Sequence, residues 1–134
     1  MFSGRMQTVQ SRLDCFTEMG EVPVIVDLKT CNDLDSFEYD ARKYTYGIQF
    51  AFYQQIFVSA IIDEYEVEAV IPPKVFAIAV EKREPFRCGV FEVPEDLLAH
   101  FNTKIFSAIA LLKQCQSNSE FPTLYESLRP LNLF

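Results

Sequence analysis

One stretch of this chain constrains its fold more than any other: a run of β-branched residues that ends in alternating charge. Residues 22–26 read VPVIV and lead directly into Asp27, Leu28 and Lys29. Such a run predicts a central β-strand. Because residues two apart in a strand share a face, we expect Asp27 and Lys29 to point one way and Leu28 to point into the other layer. An acid-x-Lys triplet is also common at solvated strand ends, so the triplet alone does not establish a site.

A second strand is predicted over residues 6–16, where apolar and polar residues alternate, and a glycine-containing turn would pair it with the first as a hairpin. Neighbouring strands lie about 4.8 Å apart, so Asp14 can reach the same side as Asp27. Two carboxylates and a backbone carbonyl are hard oxygen ligands of the kind that Mg²⁺ or Mn²⁺ prefers. Lys29 would be placed to orient or deprotonate a water for attack on phosphorus.

The rest of the chain predicts helices and strands that follow one another without a repeat. The predicted elements are a short helix over residues 34–44, a longer buried helix over 46–62, strands over 75–80 and 86–93, and a helix that opens at Pro94. An acidic connector is expected over residues 63–68, and an irregular tail from Ser117. This order predicts a single α+β (α/β-like) domain over residues 1–134, with a mixed central β-sheet flanked by helices.

Composition narrows the class of protein. Twelve Lys and Arg against nineteen Asp and Glu give a net charge of −7, which argues against a generic basic nucleic-acid binder. An enzyme that grips nucleic acid in one local, metal-filled groove is still compatible with this charge. The four cysteines are far apart in the sequence, which predicts reduced and mostly buried thiols rather than a zinc site or a disulfide framework. With no apolar leader and no long apolar span, we expect a cytoplasmic protein without a membrane partner.

Three polar aromatic and amide residues recur on one face of the longer predicted helix. Tyr46, Gln49 and Tyr53 stand at positions i, i+3 and i+7. Buried hydroxyl and amide groups need hydrogen-bond partners. The pattern is therefore typical either of a satisfied core amide among packed aromatic rings, or of a polar strip that borders the carboxylate pair and holds a water or a phosphate.

Four segments carry a resemblance to a known superfamily. They read RLD at residues 12–14, IVDLKT at 25–30, KYTYGIQFAFY at 43–53 and VFAIAVEKREP at 75–85. In this order they resemble the PD-(D/E)xK nuclease superfamily, and most closely its exonuclease VIII (RecE)-like and phage branch, with R-x-D, iDlKT, Y-x-x-Q-x-x-x-Y and VEKepP motifs. The resemblance covers the chain from about residue 12 to its end and implies a restriction-endonuclease-like core.

The resemblance also implies an activity and a set of site residues. It implies Mg²⁺-dependent (or Mn²⁺-dependent) hydrolysis of phosphodiester bonds, with digestion of one strand of duplex DNA from an end. It further implies DNA as partner, a homo-oligomer, and work beside a single-strand annealing protein in phage-type recombination. The implied site residues are Asp14, Asp27 and the carbonyl of Leu28 as metal ligands, Lys29 as catalytic lysine, Gln49 as the helix glutamine near the site, and Tyr53 as its companion.

The chain departs from that branch at its start. Members carry further helices before the R-x-D strand, with an upstream His or Glu, whereas this chain begins thirteen residues before Asp14 and its only histidine is His100, expected near the surface. We therefore expect a domain without the usual N-terminal helices, and two alternatives stay open. One is a catalytically impaired, truncated nuclease-fold domain that acts in binding or oligomeric assembly. The other is an α+β interaction module with Phe50, Phe52 and Phe57 at an oligomer interface, although most of these rings are expected in the core.

Overall fold

A computed structural model describes residues 9–133 and contains a four-stranded mixed sheet. The strands lie side by side in chain order: β1 (Cys15–Met19), β2 (Val22–Cys31), β3 (Lys74–Glu81) and β4 (Cys88–Glu92). Strand β2 is antiparallel to β1 and parallel to β3, and β4 is antiparallel to β3. The predicted mixed sheet in an α+β domain is therefore confirmed.

Three α-helices accompany the sheet in the described part of the chain. They are α1 (Phe37–Lys43), preceded by a 3₁₀ turn (Leu34–Ser36), then α2 (Tyr46–Tyr65) and α3 (Glu95–Asn118). Helix α2 lies in the crossover between the parallel strands β2 and β3, and α3 packs against α2. Helix α2 runs three residues past its predicted end, so the expected acidic connector begins inside the helix. No helix between residues 9 and 133 is long and apolar enough to cross a membrane.

The first strand begins later than the sequence predicted. Residues 6–8 of the predicted strand lie outside the described residues, residues 9–14 are not in a strand, and β1 starts at Cys15 opposite Val26. The reason lies two residues further along β2, at Leu28. The Leu28 N–H, which a longer β1 could have bonded through its backbone, donates instead to the Asp14 Oδ2 atom at 2.9 Å. Asp14 therefore precedes the strand rather than lying within it.

The hydrophobic core lies between one face of the sheet and helix α2. Ile25 on β2 and Val75 on β3 are fully buried, and the helix adds Phe50 and Ala51. Side chains in a strand alternate between its faces, so Asp27 and Lys29 follow Ile25 on this helix-covered face. The sequence thereby brings two charges to the edge of an apolar core.

Two expectations about exposure are wrong. Leu28 is 58% exposed and lies at the surface, because the face opposite α2 is not covered at this position by a second packed layer of the described chain. All four cysteines are free, as predicted, but only Cys31 is buried; Cys15 and Cys88 are exposed and Cys115 is half-buried. Cys31 is buried because it shares the helix-facing side of β2, whereas Cys15 and Cys88 belong to the edge strands β1 and β4.

An ionic cluster ties the end of β3 to the segment before α1. The Glu81 carboxylate is buried and accepts hydrogen bonds from the Leu34 N–H at 2.9 Å and from the Arg87 guanidinium at 2.9 Å. These bonds lower the pKa of Glu81 to about 2. The Arg87 guanidinium also pairs with Asp33 at 3.1 Å and Asp35 at 3.4 Å. The cluster fixes the path of the chain between β2 and α2, the two elements that carry the candidate site.

Candidate functional site

The centre of the candidate site is a buried carboxylate beside a nearly buried ammonium. Asp27 is 1% exposed, and its Oδ2 atom lies 2.8 Å from Lys29 Nζ. Burial disfavours the charged carboxylate and raises the pKa of Asp27, although Lys29 acts in the opposite direction. Within residues 9–133 the Oδ2 atom accepts no well-aligned hydrogen bond despite this close ion pair. A buried carboxylate oxygen with spare acceptor capacity is a candidate ligand for a cation.

Asp14 is brought to the same place by a backbone contact. Its Oδ2 atom accepts the Leu28 N–H, so the carboxylate is anchored beside β2 at the residue that follows Asp27. Its negative charge adds to the effect of burial in raising the pKa of Asp27. The structure therefore brings Asp14 and Asp27 together, as the sequence predicted. The contact that does so is a side-chain hydrogen bond to β2, and not backbone pairing of Asp14 within β1.

Helix α2 supplies the other two predicted residues. Lys29 Nζ donates to Gln49 Oε1 at 2.6 Å, and Gln49 Nε2 donates to the Tyr53 hydroxyl at 2.7 Å. Because an ammonium only donates, the amide oxygen must face Lys29 and the amide nitrogen must face Tyr53. Burial, and then the charge of Asp27, raise the pKa of Tyr53, so its phenol stays protonated at neutral pH. Asp27, Lys29, Gln49 and Tyr53 thus form one continuous polar chain.

Aromatic rings lie beside the lysine as well. Lys29 Nζ lies 4.6 Å from the centroid of the Tyr46 ring and 5.9 Å from that of Phe50. The sequence placed Tyr46 on the polar strip for its hydroxyl, yet it is the ring face that meets the lysine. Phe50, a candidate interface residue by sequence, is 6% exposed in the core, while Phe52 and Phe57 pack against that core. The i, i+4 spacing of Tyr46 and Phe50 was the one sequence feature that could have paired them.

The oxygen atoms at this site suit a hard divalent cation that keeps some of its own water ligands. Two carboxylates and the backbone carbonyl of Leu28 offer oxygen ligands only, and two adjacent carboxylates repel each other unless a cation lies between them. Mg²⁺ commonly keeps several waters and needs only one or two carboxylates from the protein. Across residues 9–133 no group of three or more His, Cys, Asp or Glu side chains is placed to hold a metal ion. The residues therefore fit a water-rich Mg²⁺ or Mn²⁺ site and do not fit a fully protein-ligated one.

The single histidine does not join this group. His100 is exposed on α3, where its ring packs edge-on against Phe101 at 5.3 Å. The expectation of a surface position for His100 is confirmed. None of the hydrogen bonds or ion pairs that connect the candidate site in the described chain involves it.

Comparison with models of known protein families shows to which family this chain belongs. Residues 4–129 match the model of a family described as a PDDEXK-like domain of unknown function (DUF3799). The chain belongs to this family. A search of curated proteins finds no match to the chain. Membership of the PD-(D/E)xK superfamily is thereby confirmed, and with it a nuclease-type fold for this PDDEXK-like domain; the assignment to the RecE-like branch stays a prediction.

Proposed function

We propose that this PDDEXK-like domain is a divalent-metal-dependent DNA nuclease that hydrolyses phosphodiester bonds. One observation carries the proposal: the carboxylates of Asp14 and Asp27, the Lys29 ammonium and the Gln49 amide converge at one edge of the core. Placing a nearly buried Lys beside a buried Asp costs folding free energy unless further hydrogen bonds satisfy the pair. In a fold of nuclease type, the two carboxylates and the lysine have a direct chemical use.

The metal ligands we propose are Asp14, Asp27 and the carbonyl of Leu28. Mg²⁺ bound there, or Mn²⁺ in its place, would polarise a phosphoryl oxygen and lower the pKa of an attacking water. The protein's own contribution is to keep the two carboxylates side by side. The Leu28 N–H does this for Asp14, and the rigid strand β2 does it for Asp27.

Lys29 acts on the scissile phosphate or on the water that attacks it. Its side chain is 15% exposed, which leaves room for a phosphate oxygen or a water to approach it. Gln49 accepts a hydrogen bond from the ammonium and so holds it in place. Tyr53 holds the Gln49 amide in the orientation that the lysine requires. We assign Lys29 the role of orienting or deprotonating the water and Gln49 and Tyr53 the role of fixing the lysine.

The finer function we propose is an exonuclease that acts on the ends of duplex DNA in phage-type recombination, in the cytoplasm of a bacterium or a phage-infected host. Its support is the resemblance of four ordered segments to the RecE-like branch. The same resemblance supports a homo-oligomer and a single-strand annealing protein as partner. Because the net charge is −7, the contact with DNA must rest on local cations and on the metal.

A second candidate function is binding or oligomeric assembly by a catalytically impaired nuclease-fold domain. The observation that favours it is the small donor set, since the described residues offer two carboxylates and no third side-chain ligand. The two candidates differ in metal binding. A working site binds Mn²⁺ through Asp14 and Asp27, whereas an impaired one does not require it.

The test is a cleavage assay on linear and circular forms of one duplex DNA, with Mg²⁺, with Mn²⁺ and with chelator. We expect loss of linear DNA only, in the presence of metal, by the parent chain and by the control Lys104→Ala, which removes an exposed lysine of α3. Lys29→Ala should be inactive while folded. Cleavage by Lys29→Ala at the parent rate would refute the mechanism. The second candidate would be favoured if the folded parent cleaved no DNA and bound Mn²⁺ no better than Asp27→Asn does.

A further inference from the structure

The Lys29 ammonium lies beside aromatic rings as well as beside its two polar partners. Gln49 Oε1 at 2.6 Å and Asp27 Oδ2 at 2.8 Å occupy two of its directions. An ammonium on a four-carbon stem has three donors and many rotamers, so two oxygens do not fix it. The rings of Tyr46 and Phe50 lie close to it as well, with centroids 4.6 and 5.9 Å from Nζ.

Of the two rings, Tyr46 is placed to act more strongly. A cation is attracted to the face of an aromatic ring within about 6 Å of the centroid, and the attraction grows as the cation loses water. Tyr46 is well inside this limit and Phe50 lies at its edge. Because the Lys29 side chain is only 15% exposed, little water competes with the ring.

The Tyr46 ring is itself held from three sides. Its centroid lies 6.3 Å from that of Phe37, 6.2 Å from that of Tyr44 and 6.4 Å from that of Phe50. Its backbone is fixed as well, since Tyr46 is the first residue of α2 and follows Thr45 in the left-handed region at φ 56°. These neighbouring rings limit how far the Tyr46 ring can move with the lysine.

We propose that Tyr46 is a positioning residue whose ring face holds the Lys29 ammonium against Gln49 and Asp27. The catalytic consequence rests on the proposed nuclease function, whereas the placement of the lysine does not. The ring and not the hydroxyl carries the role, so phenylalanine at position 46 should replace tyrosine and leucine should not.

The first test observes the lysine directly by NMR in the full chain labelled with ¹³C-lysine. The Lys29 signal is assigned by its loss in Lys29→Arg. A ring face beside Nζ shifts the neighbouring Cε protons upfield, so we expect an upfield Lys29 signal in the parent and in Tyr46→Phe, and its return to the ordinary position in Tyr46→Leu. Lys104 lies 5.3 Å from the centroid of the Phe101 ring and serves as an internal standard that should not move.

The second test uses cleavage kinetics. We expect Tyr46→Leu to lower kcat about tenfold with little change in KM, and Tyr46→Phe to keep the parent rate. The control is Phe91→Leu, which removes a ring that packs on Phe37 at 5.0 Å, so that Phe37 lies between it and Tyr46 in the series of ring contacts. It should destabilise the fold without this loss of kcat.

The outcomes separate the inference from the proposed function. An unmoved Lys29 signal in folded Tyr46→Leu would overturn the inference, and so would an equal loss of kcat in Tyr46→Phe. An inactive parent chain would refute the proposed function, while the NMR result would still decide whether the ring places the lysine.

Discussion

Replacing Gln49 with leucine should weaken the fold and the proposed catalysis together, because this one amide joins the lysine to helix α2. The substitution removes the acceptor of Lys29 Nζ and the donor to the Tyr53 hydroxyl while keeping an apolar side chain of similar size. A hydrogen bond to a charged group contributes about 1.5–3 kcal/mol and a neutral one about 1 kcal/mol. Since Lys29 is 15% exposed, water can recover part of the first contribution, and we expect a net loss of about 2 kcal/mol in the free energy of unfolding.

Helix α2 offers a matched control for this prediction. Gln54 is also a buried glutamine of α2, and its Nε2 atom donates to the Pro73 carbonyl at 3.0 Å, away from Lys29. Gln54→Leu should cost about 1–3 kcal/mol, because it leaves a carbonyl without its partner. Its effect on cleavage should be small. Gln49→Leu should in addition lower kcat by up to about 100-fold, since a displaced catalytic group loses its alignment.

The assay combines urea unfolding, followed by circular dichroism because the chain has no tryptophan, with cleavage of linear duplex DNA. Tyr53→Phe adds an intermediate step, since it removes only the bond between Gln49 and Tyr53. An unfolding midpoint of Gln49→Leu equal to that of the parent would refute the hydrogen-bond argument. Equal loss of cleavage in Gln54→Leu would show that stability, and not the placement of Lys29, controls the rate.

Three further predictions concern other parts of the molecule. The folded-state pKa of Glu81 is about 2, below its ordinary value near 4.5, so its contribution to stability is present above pH 4.5 and is lost as the pH falls toward 2. Urea midpoints between pH 6 and pH 3 should therefore fall less steeply in Glu81→Gln than in the parent. The cations Lys82 and Arg83 follow β3 and make no ion pair within the described chain, and the Lys82 N–H bonds the Cys31 carbonyl at the end of β2. Replacing both with Gln should weaken DNA binding and reduce its logarithmic salt slope by about 1 for each phosphate that the protein no longer neutralises. In Gly47→Ala a new Cβ would overlap the Phe101 ring, so we expect a loss of about 1–3 kcal/mol in unfolding free energy that Phe101→Leu partly restores.

Each of these predictions has a clear contrary result. Identical pH profiles for the parent and Glu81→Gln would show that Arg87 does not hold the carboxylate ionised in the folded state. If replacing Lys82 and Arg83 leaves the salt slope unchanged, as we expect for the control Lys104→Gln, the segment after β3 does not contact DNA. A Gly47→Ala variant as stable as the parent would mean that α2 and α3 pack less closely than described.

The sequence by itself determined the central elements and the relative placement of four residues of the candidate site. The run before Asp27 predicted β2, and the period of two placed Asp27 and Lys29 on one face. The i, i+3, i+7 spacing placed Gln49 and Tyr53 together on α2, where they are hydrogen-bonded. These predictions succeeded because they depend on local periodicity, which the backbone geometry of a strand or helix fixes.

Tertiary structure alone decided how these elements meet. Asp14 reaches Asp27 because its side chain takes the Leu28 N–H, a contact that ends β1 early and that no periodicity encodes. The ring of Tyr46 faces Lys29 because α2 crosses the sheet at that point, and Leu28 and two of the cysteines are exposed because of where the sheet is left uncovered. Such features depend on the relative placement of elements distant in sequence. Local patterns determine which side of an element a residue occupies, and packing determines what that side contacts.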